Sequence, residues 1–432
     1  MILEHSVSKF EKIFIIISSV IICLTIGIYG WRFNHYYKIY GALEETGISL
    51  YDYILNNNDN LYNKDNSYYF HGNINNNYVL FSGKLWRVVN LRDGEIKLIS
   101  DEDITTLAFG DSYKNSYVRK WLNPSEEEHN GIFYHSINAL YIDSINVCVN
   151  KISSGDITCD EIEKDSVGLL SIEDFNLAGG IESYLNNGTN WWLSNSSENG
   201  NWYVTPEGIN SSESKNYQSS GVRPVILLNK NITMLSGDGT MDNPYTIEQR
   251  DTKTLGDTYP GEYVTYSNYN FRVTSINDES VTLELNEVLK NAIFSNKSNE
   301  FDINNKNSIA YYLNNEFYKS LGSNVLLSKF YNGTYTDNYN YLDSYSDTIE
   351  AYVGLPSIGS MFNNKYNNIY LINKSIDNKS IYTISDTYNI YADDITKELG
   401  IIPIINLSKD LNIISGDGYN TPYVIGGVIG EE

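Results

Sequence analysis

The longest apolar run lies near the N-terminus, at residues 13–31, and it contains no charged residue. As a helix, this run would span about 28 Å, close to the ~30 Å hydrocarbon core of a bilayer. Trp31 stands where an interfacial aromatic residue is common. Residues 27–30 read GIYG and offer no small-x-small cleavage site. We therefore expect an uncleaved transmembrane helix at 13–31, preceded by a short tail at 1–12.

Beyond residue 60 the pattern changes to short β-rich runs separated by turn residues. The turn signals are Ser82-Gly83 and Arg92-Asp93-Gly94. A helix is expected after Ser116, which can cap the apolar positions of YVRKWL. The pattern predicts an α+β, β-dominated fold. The expected strands are Tyr78–Phe81, Leu85–Leu91, Glu95–Ser100, Trp191–Ser194, Trp202–Thr205, Val222–Leu228 and Pro244–Ile247.

The chain also repeats itself, with a period of about 180 residues. The segment YVLFSGKLWRVVNL, from Tyr78, matches YVTYSNYNFRVTSI, from Tyr263. The segment VRPVILLNKNITMLSGDGTMDNPYTI, from Val222, matches IIPIINLSKDLNIISGDGYNTPYVI, from Ile401. A period this long indicates two whole, homologous domains in tandem rather than a solenoid.

The repeat sets the expected domain organisation. The stalk is expected to include a short amphipathic helix around Gly41–Leu55. The predicted segments are a stalk at 32–60, a first domain at 61–247, a polar linker at 248–260, a second domain at 261–425 and a tail at 426–432.

The charge of the chain restricts its partners. With 30 Lys and Arg against 54 Asp and Glu, the net charge is −24. Such a chain repels phosphate backbones and anionic headgroups, so we expect no nucleic-acid partner. Basic residues are balanced on the two sides of the apolar run and do not set its orientation. Because a short tail stays inside more easily than a large acidic domain, we expect a single-pass cell-membrane protein with a cytoplasmic N-terminus and extracellular C-terminal domains.

Two cysteines flank a polar loop. Cys148 and Cys159 enclose VNKISSGDIT, while Cys23 lies in the apolar run. In an exported chain the pair is expected to form a disulfide worth about 2–3 kcal/mol. The alternative is two unrelated thiols in a cytosolic chain.

Several motifs together resemble a known family. The segments LWRVVNLRDGEIKLIS, SYVRKWLN, NWWLSN, NWYVTPEG and GVRPVILLN are similar to uncharacterised bacterial surface domains of the DUF6273 type. Chains of that family carry an N-terminal membrane segment. The WWL…VRPV pattern also resembles the end of C-type-lectin-like domains, including relatives of formylglycine-generating enzymes, which implies a fold rather than an activity. In the second copy Ile369-Tyr370 replaces Trp191-Trp192.

Aromatic residues are the first candidates for ligand binding. Trp191, Trp192, Trp202 and Tyr203 can stack on sugar rings, although burial in a core is the alternative. Because side chains alternate along a strand, one member of the tryptophan pair is expected to face outward. Arg223, which is Ile402 in the second copy, is a candidate anchor for an anionic group, with pairing to a local carboxylate as the alternative.

The segment SGDGTMDNPY offers oxygen ligands for Ca²⁺ at Asp238 and Asp242. It lacks the EF-hand spacing, and a turn that leads into the last strand explains the same residues. We therefore expect no metal and no other cofactor.

Catalytic motifs are absent from the sequence, which has no Gly-x-Ser-x-Gly, no His-Glu-x-x-His and only five His. We expect a non-enzymatic surface protein whose tandem lectin-like modules bind a glycan, a cell-wall component or a protein. The alternatives are a structural or assembly component of the envelope that acts through protein–protein contacts, and an unrecognised envelope hydrolase with two catalytic carboxylates.

Overall fold

The structure is a computed structural model. It describes residues 18, 47–58, 61–110, 112–123, 133–152, 159–198, 200–211, 219–230, 232–248, 251–333, 347–358, 366–377, 379–385 and 390–428. Of the described residues, 43% lie in strands and 15% in helices, which confirms the expected β-dominated α+β class. Apart from Ser18, the transmembrane helix predicted at 13–31 lies outside the described residues, as does the tail at 1–12. Within the described ranges, no helix has the length and apolar character needed to cross a bilayer.

We call residues 47–248 the first half and residues 251–428 the second half. The helices of the first half are α1 (Leu50–Asn57), α2 (Tyr117–Leu122) and α3 (Ile172–Leu177), with 3-10 turns at Tyr113–Asn115, Tyr134–Ser136, Ala139–Tyr141 and Gly180–Glu182. Its strands are β1 (Leu61–Lys64), β2 (Ser67–Phe70), β3 (Tyr78–Phe81), β4 (Lys84–Arg92), β5 (Glu95–Ser100), β6 (Thr105–Ala108), β7 (Ile142–Asp143), β8 (Ile145–Cys148), β9 (Ile162–Asp165), β10 (Trp191–Ser196), β11 (Asn201–Thr205), β12 (Gly208–Ser211), β13 (Ser219–Val222), β14 (Val225–Leu228) and β15 (Tyr245–Thr246).

The second half begins with a 3-10 turn at Leu255–Asp257 and contains α4 (Ile309–Tyr312) and α5 (Tyr318–Leu321), joined by a π-helical turn at Leu313–Phe317. Its strands are β16 (Tyr263–Tyr266), β17 (Tyr269–Ile276), β18 (Ser280–Leu285), β19 (Lys290–Ala292), β20 (Ser328–Tyr331), β21 (Thr348–Ala351), β22 (Val353–Gly354), β23 (Ile369–Lys374), β24 (Ser380–Ile384), β25 (Ile390–Asp394), β26 (Leu399–Ile401), β27 (Ile404–Ser408), β28 (Leu411–Ser415) and β29 (Tyr423–Val428).

Each half contains two main sheets and a separate hairpin. In the first half the sheets follow the orders β1-β2-β4-β5-β14-β7, with β3 pairing both β4 and β15, and β12-β11-β10-β13-β6. In the second half they follow β22-β27-β18-β17-β16-β29-β28 and β19-β26-β23-β24-β25. Most buried apolar side chains of each half form one cluster, and Ala108 of the first half packs into the cluster of the second. The two halves are therefore in contact.

The sequence repeat corresponds to a repeat of strand pairing. The parallel pair of β10 with β13 aligns Trp191 with Gly221, and that of β23 with β26 aligns Ile369 with Gly400. One side-chain clamp is also repeated. The Oδ1 atom of Asn123 accepts the N–H of Val167 at 2.8 Å, and that of Asn314 accepts the N–H of Val353 at 3.0 Å. The same local interactions therefore build both halves.

Helix α1 corrects the predicted stalk. Leu50 and Ile54 are fully buried in the first cluster, and the N–H of Leu50 donates to the carbonyl oxygen of Ile232 at 2.7 Å. The hydroxyl of Ser49 caps the helix by accepting the N–H of Asp52. Burial of an apolar face stabilises a short helix that would be marginal alone. The first half consequently begins before the predicted boundary at residue 61.

Candidate functional site

The tryptophan pair predicted to bind sugar rings lies in the core. Trp191 is 0% exposed and Trp192 is 1% exposed. The ring of Trp191 packs against Phe175, with centroids 5.9 Å apart, and that of Trp192 packs against Phe109 at 5.2 Å. The two side chains alternate as expected, but both faces of β10 are covered. The prediction that one of them faces solvent is therefore wrong.

Trp202 and Tyr203 on β11 are half-buried. The indole N–H of Trp202 donates to the carbonyl oxygen of Ile152 at 3.1 Å, and the ring of Tyr203 packs edge-on against Trp192 at 5.7 Å. Each side chain therefore has a structural role and retains some accessible surface. Stacking on a ligand stays a prediction for these two residues.

Arg223 is fully buried and does not reach solvent. Its Nε and Nη1 atoms donate to the carbonyl oxygens of Ser100 and Leu185 at 2.9 and 2.7 Å, and its guanidinium lies 4.9 Å from the ring centroid of Trp191. Burial lowers the pKa of Arg223, while the nearby carboxylate of Asp103 opposes that shift. Among the described residues, its Nη2 atom has no hydrogen-bond partner. The prediction that Arg223 anchors an external anion is therefore wrong, because no such ligand has access.

The calcium candidate Asp238 closes a turn. Its Oδ1 atom accepts the N–H and the hydroxyl of Thr240 at 3.0 and 2.7 Å. Burial acts to raise the pKa of Asp238, but the hydrogen bonds outweigh it and the pKa is lowered. Asp242 is exposed, and within the described ranges no group of three or more acidic, His or Cys side chains is arranged to hold a metal. The turn explains the conformation of Asp238 without a cation.

The predicted disulfide is present between Cys148 and Cys159, whose Cα atoms lie 5.6 Å apart. It links the end of β8 to the chain just before β9, so the two strands of this hairpin are joined covalently at the end where the chain passes from one to the other.

A cleft of about 390 Å³ lies where the two halves meet, and the sequence did not predict it. Both halves contribute to its walls. Four carboxylates and two tyrosine rings give the cleft its chemical character: Glu248, Asp251, Glu262, Asp417, Tyr419 and Tyr423.

Backbone hydrogen bonds fix one carboxylate from each half, Glu248 of the first and Glu262 of the second. The Oε2 atom of Glu248 accepts the N–H of Ser82 at 2.7 Å, and that of Glu262 accepts the N–H of Tyr259 at 2.7 Å. Ser82 and Gly83 form the left-handed turn between β3 and β4, with φ of 49° and 66°. A Cβ atom at Gly83 would lie 2.6 Å from Cγ of Glu262, so glycine allows the close approach that shapes this wall.

Asp417 and Tyr419 form another part of the second-half wall. The Oδ1 atom of Asp417 accepts the backbone N–H groups of Tyr419, Asn420 and Thr421 at 2.9, 2.8 and 2.9 Å. This turn is the counterpart of the Asp238 turn, and it presents Tyr419 at the cleft. A loop that rests on three hydrogen bonds to one atom holds its side chains in a defined position.

Tyr419 also lies close to the first half. Its pKa is raised to about 12, first by burial and then by the carboxylates of Asp101 and Glu102. Among the described residues, no group hydrogen-bonds to its hydroxyl. The cleft therefore contains a half-buried tyrosine ring in a negative environment.

The cleft is not a repeated feature, although the repeat builds its frame. Glu262 of the second half corresponds to Asn77 of the first. The carbonyl oxygen of Glu262 accepts the N–H of Val273 at 2.8 Å, and the carbonyl oxygen of Asn77 accepts the N–H of the equivalent valine, Val88, at 2.8 Å. Tyr419 occupies the position of Thr240 in the matching turn. The sequence signal that could have indicated the cleft was this divergence, in which charged and aromatic residues replace smaller polar ones.

Chemically, the cleft offers mainly hydrogen-bond acceptors together with aromatic surface. Burial raises the pKa of the carboxyl groups of Asp103 and Glu284, but neither residue lines the cleft. The arrangement is suited to binding. A comparison with known proteins gave no relatives: no protein family, no curated protein and no solved structure matches this chain.

Proposed function

We propose that this chain is a membrane-anchored bacterial surface protein that binds a ligand in the cleft between its two halves. One observation carries the proposal: a cleft of about 390 Å³ combines tyrosine rings with fixed carboxylates. Its volume is within the range of small-ligand sites, which are typically ~300–1,000 Å³. The ligand is a glycan, a cell-wall component or a protein segment, bound without chemical conversion.

The location outside the cell is part of the same proposal. The apolar run at 13–31 is long enough for a membrane anchor. The Cys148–Cys159 disulfide is typical of an oxidising compartment. The resemblance to bacterial surface domains and to C-type-lectin-like sequences agrees with this arrangement, in which the anchor holds two related halves at the cell surface.

A second candidate function, an assembly role in the envelope, has its own support. Tyr318 and Tyr352 stack with ring centroids 4.2 Å apart and remain half-exposed on the second half. Exposed tyrosines are common in protein–protein interfaces. Crosslinking in native membranes that recovers one dominant protein through this face, and not through the cleft, would favour this role.

The test of the first proposal is binding of the purified full chain, in detergent micelles, to a glycan panel and to purified cell walls. Tyr419→Thr introduces the residue found at the same position of the first half, so the turn should be kept. We expect this variant to lose binding. Tyr62→Thr, at a 47% exposed tyrosine, is the matched control and should bind as the wild type does. Equal binding by wild type and Tyr419→Thr would contradict the proposal.

A further inference from the structure

We propose that Asn187 is a site of spontaneous deamidation, at which the folded first half accelerates the conversion of a side-chain amide into a carboxylate. The inference does not depend on the cleft. It rests on the Asn187–Gly188 pair, in the loop that leads into β10, and on the groups that surround the reacting atoms.

The reaction is an attack within the chain, at a residue type that is thermolabile in proteins. The backbone nitrogen of Gly188 bonds to Cγ of Asn187 and loses its proton to water. The bond from Cγ to Nδ2 breaks, and Nδ2 takes up a proton and leaves as ammonia. The resulting succinimide adds one water molecule and opens to aspartate or isoaspartate. The net change is therefore the consumption of one water and the release of one ammonia.

Gly188 is well placed to attack. It is exposed, its φ is 79°, and no atom outside its chain neighbours lies within 4 Å of the position that a Cβ atom would occupy. Its N–H donates to Oδ1 of Asn186 at 3.2 Å. Because glycine has no side chain, its nitrogen approaches the neighbouring carbonyl group without steric hindrance.

The amide of Asn187 is held as an electrophile. Its Oδ1 atom accepts the N–H of Thr189 at 3.2 Å and the hydroxyl of Thr189 at 2.8 Å. As the carbonyl carbon is attacked, negative charge builds up on this oxygen, and donors that are already in place stabilise that charge. The two bonds from Thr189 therefore favour attack at Cγ.

Asp103 faces the leaving group. The Nδ2 atom of Asn187 donates to Oδ1 of Asp103 at 3.4 Å. The carboxyl group packs closely on Gly221, where a Cβ atom would collide with it. Burial raises the pKa of Asp103, with its hydrogen bonds and Arg223 opposing the shift and Glu102 adding to it. A carboxyl group of raised pKa keeps its proton to higher pH, and it can pass that proton to the leaving nitrogen.

The experiment compares rates in the folded and the unfolded chain. The full chain in detergent micelles is incubated at neutral pH with and without guanidinium chloride, and peptide mass spectrometry with isoaspartate detection gives the rate at each asparagine. A second Asn-Gly pair in the described ranges, Asn332–Gly333, is buried and serves as the internal reference. We expect Asn187 to react faster in the folded chain than in the unfolded chain, and Asn332 to react more slowly. A folded-chain rate at Asn187 that equals or falls below the unfolded-chain rate would overturn the inference.

Two variants test the groups that assist the reaction. Asp103→Asn keeps the shape of the side chain but removes its acidic proton, so the folded-chain rate at Asn187 should fall about tenfold or more. Thr189→Val removes the hydroxyl donor at an exposed position and should also slow the reaction. Thr396→Val is the matched control, because Thr396 makes the same two bonds to Asp394, and the rate at Asn187 should not change.

The pH dependence separates assistance by an acid from positioning alone. The ratio of the folded-chain rate to the unfolded-chain rate at Asn187 should be larger at about pH 5 than at about pH 8, because Asp103 carries its proton more often at the lower pH. This ratio and Thr189→Val decide the question if Asp103→Asn does not fold. A ratio that does not change with pH, together with an unchanged rate in Thr189→Val, would contradict assistance by the fold.

Discussion

The ammonium group of Lys84 donates a hydrogen bond to the carbonyl oxygen of Pro260, which is the last residue of the predicted linker and lies near the start of the second half. It also donates to the carbonyl oxygens of Ser82 and Ser136, at 3.2 and 3.0 Å. Lys84 is only 5% exposed, so these bonds lie away from solvent. The segment expected to be a polar linker is thus fixed to the first half, beside the wall of the cleft. The equivalent position in the second half is Tyr269.

Replacing Lys84 with methionine tests this junction. Lys84→Met keeps much of the side-chain volume but leaves three carbonyl oxygens without their donor, so we expect a loss of about 3 kcal/mol in the free energy of unfolding. Urea-induced unfolding of the full chain measures it. Lys306→Met, at an exposed lysine, should change the unfolding free energy little. Equal stabilities for the two variants would show that the Lys84 bonds do not hold the junction.

The tryptophan pair should contribute to stability rather than to binding. Trp192→Ala removes a side chain that is 1% exposed and packed between Phe109 and Tyr203. We expect destabilisation of about 3–5 kcal/mol from the cavity and the lost burial. Chemical denaturation followed by circular dichroism provides the measurement. If Trp192→Ala stayed as stable as the wild type but no longer bound the ligand, the result would instead support the role in ligand binding predicted for Trp192 from the sequence.

Reduction of the disulfide should weaken the first half. The bond between Cys148 and Cys159 closes a loop with a sequence separation of 11, for which chain entropy gives about 2–3 kcal/mol. The difference between the unfolding free energies of the wild type without and with dithiothreitol measures this stabilisation. The double variant Cys148→Ser/Cys159→Ser should match the reduced protein and should not respond to the reductant. No difference between oxidised and reduced wild type would contradict a stabilising role.

The raised pKa of Glu284 predicts that the stability of the protein depends on pH. Burial raises its pKa from 4.5 to about 8, with Arg272 opposing the shift. Since the folded-state pKa lies above the unfolded one, the stability contributed by this group is fully present below pH 4.5 and is lost as the pH rises to about 8.

The variant Glu284→Gln removes this titration. It should therefore be more stable than the wild type at pH 8, by an amount of order a few kcal/mol, and the difference should shrink toward pH 5. Thermal unfolding across that range provides the test. Glu300→Gln, at a surface ion pair with Lys374, is the control. A stability difference that does not change between pH 5 and 8 would show that Glu284 titrates normally.

Local sequence signals predicted the local structure well. The Ser116 hydroxyl caps α2 by accepting the N–H of Arg119 at 2.9 Å, as expected from its place before an apolar helical pattern. The repeat likewise predicted equivalent strand pairs, because apolar alternation and turn residues act over short distances. Such signals depend only on neighbouring residues, so they can be read without the tertiary structure.

The solvent exposure of individual side chains and the presence of the cleft depend on tertiary structure, and the sequence indicated neither. Alternation placed Trp191 and Trp192 on opposite faces, but it could not show that both faces of β10 are covered. Glu248, Glu262 and Tyr419 are separated by up to 171 positions and meet only where the halves contact each other. The site arises from packing between two copies, so its residues carry no shared local pattern.

The most direct test of the cleft as the binding site is hydroxyl-radical footprinting of the full chain with and without purified cell-wall fragments. Tyr419 should become protected from oxidation when the fragments are added, while Tyr62, which is 47% exposed and does not line the cleft, should be oxidised equally in both samples. Protection of Tyr62 or of the Tyr318–Tyr352 face, with Tyr419 oxidised equally in the presence and absence of the fragments, would contradict binding in the cleft.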